Sequence, residues 1–221
     1  MRYWTTALLT GLWWAGTAVA QVTVEVIVER DQFLSGEPIA IGVRVTNFSG
    51  QTLKLGADAD WLQLMVEGDR GFVVEKYGDP PVIEEFEVPS SARGTRWVGI
   101  EPYFDVAKAG VYQVTATVRI KELGLELTSK PKRVMVTSGA KIWEQEFGLP
   151  PRSGDSSGEM EVRRYALVQS LNQKQTQLYV RVSNRSETKI HRVFAVGTVL
   201  AFSHPEAQVD RFMLKLKVTY P

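Results

Sequence analysis

The 221-residue sequence has no cysteine and only two histidines, His191 and His204. Without cysteine there are no disulfides, so stability must come from apolar burial. The two absences together exclude the Cys/His spacings of a zinc site. Charge of one sign is also missing. The 26 Lys+Arg against 25 Asp+Glu give a net of +1, which lacks the strongly basic footprint of a nucleic-acid binder. The halves differ locally, with 13 Lys+Arg against 17 Asp+Glu from Gln21 to Thr137 and 12 against 8 from Ser138 to Pro221. Imbalances of this size are read as solvated faces.

Long apolar runs are absent apart from one at the start. Arg2 gives a positive beginning, Ala7 to Ala15 an apolar stretch, and Ala18-Val19-Ala20 a small-residue cleavage pattern. These are the three parts of an export signal, with cleavage expected before Gln21. The stretch is about half of the ~20 residues that a bilayer span needs, so no integral membrane segment is expected after cleavage. Residue 21 is glutamine, not the cysteine that a bacterial lipid anchor requires. The expectation is an exported protein of the periplasm, cell surface or extracellular space of a bacterium, since disulfide-free export is more typical of bacteria.

What the chain does contain, from Gln21 onward, is period-two alternation rich in β-branched residues and broken by Gly, Pro, Asn and Asp. Val22, Val24, Val26 and Val28 share one face of a first strand, and Ile39, Ile41, Val43 and Val45 one face of a second. Asn47-Phe48-Ser49-Gly50 is a turn by composition. Its Asn-x-Ser pattern, like Asn184-Arg185-Ser186, is assigned to turn chemistry. Trp61 to Val66 and Phe72 to Glu75 are expected to form a hairpin around residues 67–71. Gly94 to Ile100, an alternating strand through Tyr112, Val114, Ala116 and Val118, a return near Leu125 to Ser129 and a last strand near Arg133 to Val136 complete the unit. About seven short strands with a turn every ten or so residues suit a two-layer Greek-key sandwich.

Leu34-Ser35-Gly36-Glu37-Pro38-Ile39 leading into an alternating strand, the Asn-x-Ser-Gly turn, and Ala109-Gly110-Val111-Tyr112 resemble the immunoglobulin-like modules of exported bacterial proteins. The resemblance covers 21–137 and implies architecture, not activity. It also implies that the Tyr112 hydroxyl ties a corner of the sandwich. The residues alone equally allow a half-buried aromatic there.

Residues 138–158 are expected to be a linker, because Pro150-Pro151-Arg152-Ser153-Gly154-Asp155-Ser156-Ser157-Gly158 concentrates turn formers. Residues 159–221 then predict a smaller antiparallel β-meander domain with strands near 159–170, 175–183, 189–202 and 211–220. The fold class is therefore all-β, an immunoglobulin-like sandwich followed by a smaller antiparallel domain.

Chemistry is sparse. Gly154-Asp155-Ser156-Ser157-Gly158 matches the Gly-x-Ser-x-Gly spacing of serine hydrolases, which places the serine on a strained turn between strand and helix. Here Pro150-Pro151 precedes it, a strand follows, and both histidines lie downstream in an order that fits neither common triad. No catalytic residue is assigned. His191 is read as an edge or solvent-facing histidine and His204-Pro205 as a turn. The acidic residues Asp58, Asp60, Glu67, Asp69, Glu84, Glu85 and Asp105 lack the fixed spacing of a calcium loop, so no metal or cofactor is expected.

Trp61, Trp97, Tyr103 and Tyr179 are the candidates for an exposed binding surface, since aromatics give large contact area at low entropy cost. The expected function is a non-catalytic exported binding or scaffold protein acting through a sheet edge or face, with a protein or glycan partner and no nucleic acid. Two alternatives stand beside it. One is a periplasmic chaperone-like protein that donates an edge strand. The other is a sandwich-type protease inhibitor that presents Asp79-Pro80-Pro81-Val82-Ile83.

Overall fold

The computed structural model describes residues 22–149, 161–172, 175–200, 204–210 and 215–219. The expected leader and the Gly154–Gly158 segment lie outside them.

The first unit contains β1 (Val22–Val28), β2 (Gln32–Leu34), β3 (Ala40–Asn47), β4 (Leu53–Leu55), β5 (Leu62–Glu67), β6 (Phe86–Val88), β7 (Ala92–Gly99), β8 (Gly110–Ile120), β9 (Leu125–Thr128) and β10 (Lys132–Thr137). One sheet runs β1-β3-β7 and the other β2-β10-β8-β5, with β9 also on β8. All pairs are antiparallel except β2–β10. The first strand is thus divided: β1 pairs with β3 in one sheet, and β2 crosses to lie parallel to β10 in the other. This is the order of an immunoglobulin-like sandwich. The inward residues explain why the layers close. Ile41, Val43 and Val45 face Val66, Val114, Ala116 and Val118, and all seven are fully buried.

Two details pin the sandwich. Tyr112, 7 % exposed, donates its hydroxyl to the Lys108 carbonyl at 2.7 Å, so the corner tie is present. Asn47 is completely buried and donates to the Gln51 and Val88 carbonyls at 2.7 and 2.8 Å, which makes it a structural turn residue. The expected hairpin of Trp61–Val66 with Phe72–Glu75 is reduced to one bridge, Glu67 with Val73. Phe72 and Val73 are exposed and bury too little to extend the pairing.

The second unit contains β11 (Ala140–Leu149), β12 (Glu161–Asn172), β13 (Gln175–Asn184), β14 (Ile190–Val199), β15 (Glu206–Asp210) and β16 (Lys215–Thr219). The first four form an antiparallel sheet in that order, and β15–β16 is a separate ribbon. This corrects the expected linker: residues 140–149 form a strand paired with β12 along its length. A bulge at Ile142 concealed it, because the register shift between Lys141 and Trp143 puts Lys141, Glu144 and Glu146 on one face and breaks the period-two pattern. The expected strand at 211–220 also changes place. Its described part, β16, pairs with β15 and not with the meander.

β12 and β13 are covered on both faces. Leu167, Leu178, Val180 and Val182 pack with Ala207 and Val218 of the ribbon. On the other face Ala166, Val168, Tyr179 and Val193 pack around Leu34 of the first unit, which is 1 % exposed. The two units therefore share a core. The chain passes between them in two residues, Ser138 and Gly139. Gly139 has φ +66°, and a Cβ there would stand 2.6 Å from Val168 Cγ1 and 2.7 Å from Leu34 Cδ1. Only glycine fits this junction.

Candidate functional site

The four aromatic candidates separate on burial. Trp61 is 3 % exposed, with Nε1 donating to the Val82 carbonyl at 2.9 Å, and Tyr179 is 1 % exposed. Neither forms a surface, because both rings fill cores and both polar atoms are used inside the protein. Tyr103 is half-buried and packs against the sandwich core. Trp97 alone is open, at 46 % exposure, on the outer face of the β1-β3-β7 sheet. The register places it in a row with Gly42 and Ile27. Ile27 leans over Gly42, where an added Cβ would meet Ile27 Cγ1 at 2.7 Å.

Tyr179 has a different role. Arg30 donates to its hydroxyl at 3.2 Å and to Glu37, whose other carboxylate oxygen accepts from the Leu34 amide at 2.9 Å. Burial opposes the Arg30 charge, but Glu37 and Tyr179 outweigh it and hold the guanidinium pKa above its ordinary value. Gln32 adds bonds to Ser170 Oγ at 3.1 Å and the Leu171 carbonyl at 2.8 Å. The Gly36-Glu37 signature, read in the sequence as a mark of the fold, is therefore also the docking segment between the units.

Beside Tyr179 on the same sheet face lies an ion network. Glu187 accepts from Lys141 and Arg164 at 2.6 Å and from Arg181 at 3.1 Å. The Lys141 and Arg164 hydrogen bonds lower its pKa to about 2. Glu144 and Glu146 complete the network on Lys141 and Arg164. Every charge in it has a partner, which marks it as structural.

Between the units lies a cleft of about 820 Å³, lined among others by Gly36, Tyr77, Glu101, Asp105, Ile190 and His191. His191 stands at a bulge of β14, 3.9 Å from Glu161, so it is an edge histidine. Among the described residues no three His, Asp or Glu side chains gather as a metal site, and no helix is long and apolar enough to cross a membrane. The inhibitor-type loop is anchored at Val82, which is 4 % exposed, and Ile83 is left open.

The sheet edges are more informative. An exposed edge is a template for another strand, and proteins blunt the edges they do not use. β14 is bulged at His191 and Val196, and β11 at Ile142. β2 has three residues. β5 is flanked by the 72–74 segment through Val74 N–H to the Val66 carbonyl at 2.9 Å. β7 has the β4–β6 ribbon alongside, with Phe86 and Val88 against Gly94. β1 has none of these devices. Its seven residues, Val-Thr-Val-Glu-Val-Ile-Val, pair with β3 without a register shift, and among the described residues no strand is hydrogen-bonded to its other edge.

A groove of about 590 Å³ runs along that side. Its walls are Val22 to Val26 on β1 and Leu127, Thr128, Lys130, Pro131 and Lys132 opposite. The opposite wall is not paired with β1, and its own ladder to β8 is irregular. Between Thr128 and Lys132 the partner on β8 moves only from Thr117 to Val114, so Ser129-Lys130-Pro131 contains one extra residue. Ser129 Oγ takes the Ala116 amide at 3.0 Å in place of a ladder bond, and Pro131 has no N–H to offer. Sequence reasoning missed this site. The available signal was Pro131 inside an otherwise continuous strand pattern, which demotes a strand to an edge or a bulge.

No family model matches the chain, and no curated protein matches it. Among solved structures it is similar to the CARDB domain of a Pyrococcus furiosus protein in complex with di-metal ions (16 % identity, 53 % of this chain and 89 % of that one, TM-score 0.34). It is also similar to Spo0M, a sporulation control protein from Bacillus subtilis (10 %, 91 % and 89 %, 0.34). A third is the CsuC–CsuE chaperone–tip adhesion subunit pre-assembly complex of Acinetobacter baumannii (11 %, 90 % and 97 %, 0.30). At these TM-scores the likenesses carry no argument. The architecture, an immunoglobulin-like sandwich fused through a shared core to a small antiparallel sheet, rests on the strand order above.

Proposed function

We propose that this chain is an exported, non-catalytic binding or scaffold protein of a bacterium that takes an extended segment of a partner polypeptide as an added strand on β1. The observation that carries this reading is the contrast among edges: those of β2, β5, β7, β11 and β14 are short, bulged or flanked, and that of β1 is regular and borders a groove. Export rests on the leader pattern of residues 1–20.

The expected strength follows from the geometry. A seven-residue edge turns about half of its residues outward, so an added strand gains about six backbone hydrogen bonds, each worth about 1 kcal/mol net. Two aliphatic side chains entering the groove contribute about 1.5 kcal/mol each. Ordering the segment costs about 2–5 kcal/mol. The remainder, about 4–7 kcal/mol, corresponds to a Kd between about 10 μM and 1 mM.

The test uses the mature chain from Gln21 and a set of ten-residue peptides alternating Val with Thr. Amide exchange should slow at outward-facing residues of β1 when peptide is added, and a peptide N-methylated at alternate positions should have no effect. Protection confined to other strands, or none with any peptide, would refute the reading.

A further inference from the structure

We infer that the groove beside β1 selects acidic extended segments: a strand whose inward residues are aliphatic and which carries a carboxylate within reach of Lys130. The inference rests on the reading of β1 as an acceptor edge and adds what that edge recognises. Backbone pairing alone cannot discriminate, since every residue but proline offers the same groups, so selection must come from side chains along the groove.

The inward side of the edge is apolar. Val22 and Val26 are buried, Val24 is half-buried, and Leu127 on the facing wall is half-buried. A polar side chain pointing inward from an added strand would lose its water without gaining a partner, which restricts those positions to aliphatics.

The rim carries the charges. Glu25 is already opposite Arg44 at 3.5 Å, and Lys132 is paired with Asp31 at 3.0 Å. Lys130 is exposed and has no ion pair among the described residues. The bulge at Ser129–Pro131 places it on the wall of the groove. Farther out on the β1-β3-β7 face, Arg93 is exposed in the same row as Thr23 and Thr46. With the two pairs neutralised, the field along the groove is set by Lys130. A carboxylate on the incoming strand completes it, whereas an ammonium meets like charge.

The experiment compares three labelled peptides with one alternating Val/Thr frame and a central Glu, Gln or Lys, binding to the full mature chain by fluorescence anisotropy. The Glu peptide should bind about fivefold more tightly than the Gln peptide, the size expected of one exposed ion pair, and the Lys peptide more weakly than either. The differences should shrink as salt rises, because the charges are exposed. Lys130→Gln should abolish the advantage of the Glu peptide, while Lys54→Gln, an exposed lysine of the β4–β6 ribbon, should leave it intact. Equal binding of all three peptides with β1 amides protected would overturn the acidic preference and leave the acceptor edge standing. Failure of all three to bind would overturn both.

Discussion

Replacing Leu34 with alanine tests whether the two units are one cooperative structure. Leu34 is 1 % exposed and sits among Ala166, Val168, Tyr179 and Val193 of the other unit, with Gly139 against its Cδ1. Neither side can collapse easily into the space it would leave, because Gly139 is held by the junction and Tyr179 by its bond to Arg30. A buried Leu→Ala change costs about 2–5 kcal/mol where the site cannot close. With a urea slope of about 2–3 kcal/mol per M, the midpoint should fall by about 1 M. Two fluorescence reporters follow the units separately: Trp61 in a Trp97→Phe/Trp143→Phe background, and Trp143 in a Trp61→Phe/Trp97→Phe background. Each background is its own reference, because Trp61→Phe also removes a buried hydrogen bond. In both backgrounds the two units should unfold together, and Leu34→Ala should lower both midpoints by the same amount. A shift seen by Trp61 alone, or two separate transitions in the parent, would mean that the shared cluster does not couple the units.

Three further outcomes follow from named contacts. The folded-state pKa of Glu187 is held at about 2, below the 4.5 of an ordinary glutamate, by Lys141 first and Arg164 second. Its contribution to stability is therefore complete above pH ~4.5 and is lost as pH falls toward ~2, about 1–2 kcal/mol after allowance for solvent screening. Glu187→Gln should flatten that part of the stability profile in urea titrations between these limits. Tyr112→Phe removes the hydroxyl bond to the Lys108 carbonyl and should cost about 1 kcal/mol by urea denaturation, with the β-rich circular dichroism unchanged. Cleavage after Arg152 should leave one particle by size-exclusion chromatography, since β11 stays paired with β12 from Ala140 to Leu149. Separation of the fragments under native conditions would contradict that pairing.

The fold was legible where burial falls on one side of a strand. Ile39, Ile41, Val43 and Val45 alternate cleanly because one face of β3 meets the core and the other meets water. The signal weakens where burial is two-sided or the period is broken. β13 is buried on both faces, by Leu34 on one and the ribbon on the other, and so shows little alternation. β11 hides behind its bulge. β2, β4 and β6 have three residues each, too short for any period. The boundary was legible only as a range. Both the Pro-Gly-Ser segment and the residues just before Lys141 read as a break between units, and the chain crosses at the second, in Ser138-Gly139.

The candidate site was hidden for a different reason. Aromatic residues were the natural choice for a surface, but a large ring buries more apolar area than any other side chain, so the same property that suits it to binding draws it into a core. Trp61 and Tyr179 went that way. A backbone edge has no composition of its own, and Val-Thr-Val-Glu-Val-Ile-Val reads alike whether its outer side is paired or open. Openness is decided by the strand opposite, where Pro131 and the extra residue before Lys132 turn the chain away and Ser129 replaces the lost ladder bond. The groove thus follows from the three residues between β9 and β10, Ser129, Lys130 and Pro131, that each satisfy an ordinary local need. Closing it tests that dependence. Pro131→Ala restores an N–H but keeps the extra residue, so β1 should stay open, whereas deleting Lys130 removes the bulge and should bring the facing wall into register with β8. The deletion should slow amide exchange along Val22–Val28 in the absence of peptide and abolish peptide binding, while Pro131→Ala changes neither. Unchanged β1 exchange in the deletion would mean that the bulge is not what holds the edge open.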